Sequence, residues 1–151
     1  MSLARPPRFA LFLALSGTLP VLAAVVALLV RWPGLDGLWL RAVAVYGAVI
    51  VSFVAGAHWG LACAAGAAAQ RAVVQRHLAW SVVPALAGWA VAAQPLWMAY
   101  LGLAVLFPLL LVLDRVAVGA GLAPIWWPAM RLPPTVVIAL GYLALGLLLL
   151  V

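Results

Sequence analysis

Residues 46–63 read YGAVIVSFVAGAHWGLAC, an uncharged apolar segment that carries a histidine and a tryptophan in its second half. Written on a helix, every fourth position around it is small: Ala44, Ala48, Ser52, Gly56, Gly60 and Ala64. Residues four apart share a helix face. Between lipid-embedded helices there is no apolar-versus-water contrast to drive association, so a small-xxx-small stripe containing Gly56 and Gly60 points to close backbone approach by a neighbouring helix. At about 100° per residue His58 falls nearly opposite Gly56. One face is then expected to pack through Ser52, Gly56 and Gly60, and another to carry a polar ring. Neither face suits lipid, which predicts a central helix.

Outward from this stretch the composition sets the medium. Of 151 residues 70% are hydrophobic and 7% charged, and the mean hydropathy is +1.31. Soluble domains are about half apolar and a quarter charged, so the chain is read as an integral membrane protein. All eight cations are arginine, and the acids are only Asp36 and Asp114. With no lysine, a Walker P-loop and a Schiff-base enzyme are excluded, and no G-x-S-x-G or H-E-x-x-H occurs. No catalytic residue is assigned. The net charge of +6 does not suggest nucleic acid, because the arginines stand singly or in pairs at the ends of apolar runs, where they act as topology signals. Cys63 is the one cysteine and makes no internal disulfide.

In order along the chain, five transmembrane helices are expected, forming one all-α domain over residues 1–151. Span one covers residues 9–30, 22 residues without a charge, which at about 1.5 Å each cross a hydrocarbon core of about 30 Å. Its length and the following Arg31-Trp32-Pro33 argue against a signal peptide. Pro20 predicts a kink. Span two covers 42–63. A loop holding Gln70, Arg71, Gln75, Arg76 and His77, with room for a short surface helix, leads to span three over 78–93, short at 16 residues. Gln94-Pro95 turns into span four, 96–113, closed by Asp114-Arg115. An interfacial stretch, 116–132, precedes span five, 135–151, which Pro133-Pro134 are expected to open.

Five spans sort the arginines. Arg5, Arg8, Arg71, Arg76, Arg115 and Arg131 fall on one side, and Arg31 and Arg41 on the other. By the positive-inside rule the N-terminus is expected inside and the C-terminus outside. Trp32, Trp39 and Trp97 then mark the outer interface, and Trp80, Trp126 and Trp127 the inner one.

The same topology delivers His58, Ser81, Asp114, Arg115 and Arg131 to one inner-leaflet layer. Ionisable groups within a membrane are costly and usually face a partner, the bundle interior or a water-filled cavity. A cytoplasm-facing polar pocket is therefore expected, with His58, Trp59, Ser81, Asp114, Arg115, Trp126 and Arg131 as candidates for its lining or for ligand binding. Simpler roles stand beside it. Asp114 and Arg115 also suit a helix end at the headgroups, Arg131 a lipid-phosphate anchor, His58 a structural interhelical bond, and Trp126-Trp127 an interfacial belt. A bis-histidine haem would need His77, which lies in or beside a loop in this reading. A zinc site from His58, Cys63, His77 and Asp114 has no recognised ligand spacing. No metal site is assigned, and no cofactor is predicted.

YGAVIVSFVAGAHWG in span two, WSVVPALAGW in span three, LDR at the end of span four and GLAPIWWPAMRLP before span five resemble the domain-of-unknown-function 3429 (DUF3429) family, which includes animal transmembrane protein 69. The resemblance covers most of the chain. It implies a small polytopic protein of bacterial inner membranes with mitochondrial relatives, and points to His58, Trp59, Gly60, Asp114, Arg115, Pro124, Trp126 and Arg131 as positions matching the pattern. It brings no catalytic role. The short N-terminal lead fits a bacterial inner-membrane, multi-pass protein.

Three functions remain open at this level. The first is a non-enzymatic accessory or structural membrane protein with a partner in the bilayer. The second is a transporter or channel for protons or a small anionic solute, with His58 titrating and Arg115 and Arg131 attracting negative charge. The third is an accessory that binds a quinone, a lipid or haem.

Overall fold

A chain segment in lipid must satisfy its backbone polar groups internally, so uninterrupted apolar runs become helices. The computed structural model describes residues 5–65 and 70–150, and among them all regular structure is helical. The elements are α1 (Arg8–Ser16), α2 (Leu19–Leu29), α3 (Gly37–Ala64), α4 (Arg71–Ala92), α5 (Leu96–Gly119) and α6 (Trp127–Leu148). Four stretches, Arg8–Leu29, Gly37–Ala64, Leu96–Gly119 and Trp127–Leu148, are long and apolar enough to cross a membrane. The chain is a multi-pass membrane protein on that ground.

The first stretch breaks at Gly17–Thr18, shortly before Pro20, which has no N–H to give to the preceding turn. The break is where the proline predicts a kink, and it is stitched shut. Tyr46 of α3 donates its hydroxyl to the Gly17 carbonyl at 2.7 Å, while Ser16 and Thr18 bond back to Leu13 and Leu15.

α3 starts earlier than hydropathy indicates, because Asp36 caps it by accepting the Trp39 N–H at 2.8 Å. It lies against α4 along its length and touches α2 and α5, while α6 packs on α5, α2 and α1. α3 and α4 are antiparallel: Arg41 near the start of α3 reaches the carbonyls of Ala92, the last residue of α4, and of Gln94 just beyond it, and His58 near the end of α3 meets His77 near the start of α4.

The expected packing stripe is used only in its first part among the described residues: Ala44 is fully buried and the Ala48 backbone lies against Gly88 of α4, but Ser52, Gly56 and Gly60 have no close neighbour helix. Side chains added at Gly56 and Gly60 would meet nothing within 4 Å, and Ser52, Gly56 and Gly60 are exposed. Close approach occurs instead one face round. A Cβ on Gly47 would collide with the Tyr142 hydroxyl, and one on Gly88 would press on Val51 at 3.0 Å. The four-residue pattern was real, but the neighbouring helices lie on the side of Gly47 and Val51.

Two further boundaries differ. α4 begins at Arg71, so Arg71–His77 are its first two turns rather than a loop, and the short third span becomes a 22-residue helix. Residues 66–69 of the expected loop lie outside the described residues. The expected interfacial stretch shrinks to residues 120–126, because α5 runs on to Gly119 and α6 starts at Trp127. Pro133 and Pro134 therefore lie inside α6 and remove two of its backbone hydrogen bonds.

α5 ends in a Schellman motif: Gly121 at φ +72° donates to the Val118 carbonyl, and Leu122 to that of Ala117. This tight reversal returns α6 along α5. It brings Trp127 and Arg131, four residues apart on one face, against Asp114.

Candidate functional site

Asp114 of α5 is fully buried and is met by side chains from α3 and α6. From α6, Trp127 Nε1 donates to Oδ1 at 2.9 Å and Arg131 Nε to Oδ2 at 3.2 Å. From α3, His58 Nε2 lies 3.4 Å from Oδ1, a close approach without the alignment of a hydrogen bond. An unpaired carboxylate withdrawn from water costs several kcal/mol. Here the guanidinium and the indole offset that cost, and the pair is electrically neutral.

His58 carries the cluster on to α4. Its Nδ1 lies 3.2 Å from His77 Nδ1, and both rings are fully buried. The ring planes differ by 19° and the centres are 5.4 Å apart. The centres are thus farther apart than the nitrogens by about a ring's width, so the two Nδ1 atoms sit between the rings and face each other. Neutral imidazole has one donor and one acceptor nitrogen, and this contact needs one of each. The assignment that also turns a donor towards Asp114 puts the His58 proton on Nε2 and the shared proton on His77 Nδ1. His77 Nε2 then ends the chain, buried and without a hydrogen-bond partner among the described residues. Trp80 stands edge-on to His77 at 4.8 Å, with the Arg76 guanidinium 5.0 Å above its ring.

His77 is the principal residue that sequence reasoning misplaced, because hydropathy put it in a loop. Its spacing was the available signal: His77 and Ser81 are four apart and share a face of α4. Trp127, rather than its neighbour Trp126, is the indole that bonds Asp114. Trp126 is partly buried and packs beside Trp127, with ring centres 5.9 Å apart. Ser81 is buried one turn from His77, but its hydroxyl bonds the Leu78 carbonyl at 2.6 Å. Trp59 and Arg115 are exposed and do not enter the cluster. Arg131, expected with Arg115 to attract negative charge, bonds Asp114 instead, and Arg115 stands apart from it at the surface.

The donor set does not fit the metal readings. Among the described residues no group of three or more His, Cys, Asp and Glu is placed to hold a metal ion, and Cys63 is exposed. An iron between two facing imidazoles at about 2 Å from each would need about 4 Å between nitrogens, wider than the observed 3.2 Å.

Beside the cluster lies a cleft of about 360 Å³ between the α1–α2 break and α3, α5 and α6. Its wall is almost entirely hydrocarbon, from residues such as Phe53, Ala57, Phe107 and Met130, with Trp127, Arg131 and Thr135 along one side. Arg131 Nη2 and Thr135 Oγ1 are buried and have no hydrogen-bond partner among the described residues.

Fold and site together define a small polytopic helical membrane protein with a charge-balanced polar centre buried where its helices converge. The chain matches the model of the family described as "Protein of unknown function (DUF3429)" over residues 6–148, and it belongs to that family. Comparison with curated proteins and with solved structures finds no match.

Proposed function

We propose that this chain is a non-enzymatic accessory protein of a bacterial inner membrane, and that its working part is the chain Arg131–Asp114–His58–His77, which holds and passes a proton. The observation that carries this reading is the nitrogen-to-nitrogen contact of two buried imidazoles. An imidazole that accepts a proton on one nitrogen can release one from the other. Two in series, with a carboxylate at one end and a free acceptor at the other, form a relay. Nothing in the cluster resembles an activated nucleophile or an oxyanion cradle.

The topology proposed with it has five passes in one domain, N-terminus inside and C-terminus outside. Two observations support it. α4 runs antiparallel to α3 from the level of Arg41 to that of His58, 17 residues or about 25 Å of helix. Arg71, Arg76 and Arg131 lie near the helix starts that meet at the polar centre, and Arg31 and Arg41 near the opposite ends. By the positive-inside rule this distribution supports a cytoplasmic position for the centre.

Solid-state NMR of the bilayer-embedded protein with ¹⁵N-histidine tests the relay. The expected result is one Nδ1 proton coupled to both rings and lost in His58→Gln or His77→Gln. Two independent imidazole signals would overturn it. The same observation favours a second reading, a proton transporter, and liposomes loaded with a pH-sensitive dye separate the two. A pH gradient collapsed by the wild type but not by His77→Gln establishes transport, whereas an intact gradient leaves the accessory reading.

A further inference from the structure

A single indole stands between the His77 end of the polar chain and the exposed surface of α4. His77 is fully buried, although it lies only about 9 Å along α4 from Arg71, where the helix starts. Its sequence neighbour Arg76 is exposed. At about 100° per residue, Trp80 lies about 60° round the helix from His77, and Arg76 about 100° round in the same direction. The indole therefore falls between the buried imidazole and the exposed guanidinium. A helical side chain leans towards the N-terminus and covers the turn before its own Cα, so Trp80 shields the level of His77.

The distances agree with this order. Trp80 meets His77 edge-on with ring centres 4.8 Å apart, and stands edge-on to His58 at 6.4 Å, so one indole covers both imidazoles. The Arg76 guanidinium carbon lies 5.0 Å from the centre of the Trp80 ring, within reach of a cation–π contact. The two tryptophans of the polar centre are held differently. Trp127 is fixed by its hydrogen bond to Asp114, whereas Trp80 is held by ring contacts and by the cation above it. At an exposed site such a cation contact changes an equilibrium by only about two- to fivefold. Trp80 is itself only partly buried, which leaves it room to turn outwards. A clamp of this strength closes a cover without locking it.

We propose that Trp80, clamped by Arg76, is a gate over His77. With the indole closed, water is kept from the buried His77 ring; with it turned outwards, His77 Nε2 meets the aqueous surface beside Arg76. The purpose of the gate rests on the relay reading, since a relay that exchanges protons with water needs an end that opens. Its geometry stands on His58, His77, Trp80 and Arg76 alone. Arg76 acts through Trp80 and is a positioning residue. The cover also accounts for two fully buried imidazoles so close to a helix start that carries Arg71, Gln75 and Arg76.

The test is acylation of the full chain in lipid nanodiscs by diethyl pyrocarbonate, which reacts at an unprotonated imidazole nitrogen, with the labelled residue located by mass spectrometry. His58 and His77 are the only histidines, and there is no lysine to compete. In the wild type His77 should label slowly. Trp80→Ala should abolish that protection. Arg76→Gln should raise the His77 rate about two- to fivefold, the worth of the lost contact, and Arg76→Lys, which keeps a cation over the ring, should restore most of the protection. Arg71→Gln removes the same charge from the same helix end, more than two turns from Trp80, and should change nothing. His58 should stay unlabelled throughout, which shows that α3 and α4 remain together. Rapid labelling of the wild type, protection retained in Trp80→Ala, or equal acceleration by Arg71→Gln and Arg76→Gln would overturn the gate. Labelling of both histidines in Trp80→Ala would overturn it too, because the indole would then be a strut between the helices. Failure of the relay shows separately, as two independent imidazole signals by NMR while Trp80 still protects His77.

Discussion

The two ends of α3 deal with buried polarity in opposite ways. Near its start, donors are matched to backbone carbonyls. Arg41 Nη1 reaches the carbonyls of Ala92 and Gln94 at 2.7 and 2.8 Å, and the Tyr100 and Tyr142 hydroxyls reach those of Leu40 and Val43 at 2.7 and 2.9 Å. Near its end, polar side chains meet one another. Among the described residues, the four buried side-chain atoms that lack a partner are on His58, His77 and Arg131 at this end and on Thr135 one turn further along α6. A helix bundle in lipid needs interhelical hydrogen bonds to fix its register, and the first end supplies them with nothing left over. Surplus capacity at the second end is what a site needs and a lock does not.

The largest effect expected from this difference follows removal of the carboxylate. Asp114→Ala strands the Arg131 guanidinium and frees the Trp127 indole, and breaking a buried pair on one side costs about 3–5 kcal/mol. Arg41→Met at the other end loses two charge-assisted bonds, but its surroundings are only partly buried. Water can reach the carbonyls it abandons, so about 1–2 kcal/mol is expected. Unfolding by a denaturing detergent, titrated into the protein in mild detergent, compares the two directly. An Arg41→Met loss equal to that of Asp114→Ala would remove the distinction between lock and site.

A middle-sized effect tests where α3 packs. Gly47→Ala would drive a methyl group into the Tyr142 hydroxyl and break its bond to the Val43 carbonyl, at a cost of about 1–3 kcal/mol. Gly56→Ala and Gly60→Ala meet open space and should gain up to about 1 kcal/mol from helix propensity. The same detergent titration reads all three, and destabilisation by Gly60→Ala would restore the packing role first read into the stripe.

That reversal shows which parts of the molecule were legible in its residues. Hydropathy reported the helices well because lipid imposes them, and it found the Pro20 break because a missing N–H is a property of one residue. It placed His58, Asp114 and Arg131 in one layer, and the structure joins these three. It could not say which side of α3 faces its neighbours, since Ser52, Gly56 and Gly60 are as small as Gly47 and Gly88, and only the tertiary arrangement decides which small residues are covered. It lost His77 for a related reason. The first turns of α4 carry two arginines, two glutamines and a histidine within residues 70–77, and such a segment reads as solvated until a partner helix offers His58. The tyrosine bonds to Gly17, Leu40 and Val43 were invisible because tyrosine in an apolar run scores as one more aromatic.

The smallest contrast compares two helix ends with one geometry and different residues. α2 closes as α5 does, in a Schellman motif, with the Arg31 N–H bonded to the Leu28 carbonyl and the Trp32 N–H to that of Ala27. The residue that must adopt the left-handed conformation is Gly121 at the polar-centre end, at φ +72°, and Arg31 at the other, at φ +52°. Glycine accepts that region freely, whereas a side chain costs about 1–2 kcal/mol there. Gly121→Ala should therefore destabilise by about 1 kcal/mol, and Arg31→Gly should stabilise by a similar amount. A second readout gives the pair its value. Because the Gly121 reversal aims α6 at α5, Gly121→Ala should also weaken the Trp127–Asp114 contact, seen as a loss of the downfield indole N–H resonance, while Arg31→Gly leaves that resonance in place. An unchanged indole signal in Gly121→Ala would mean that helix packing, and not the turn, sets the position of α6 against Asp114.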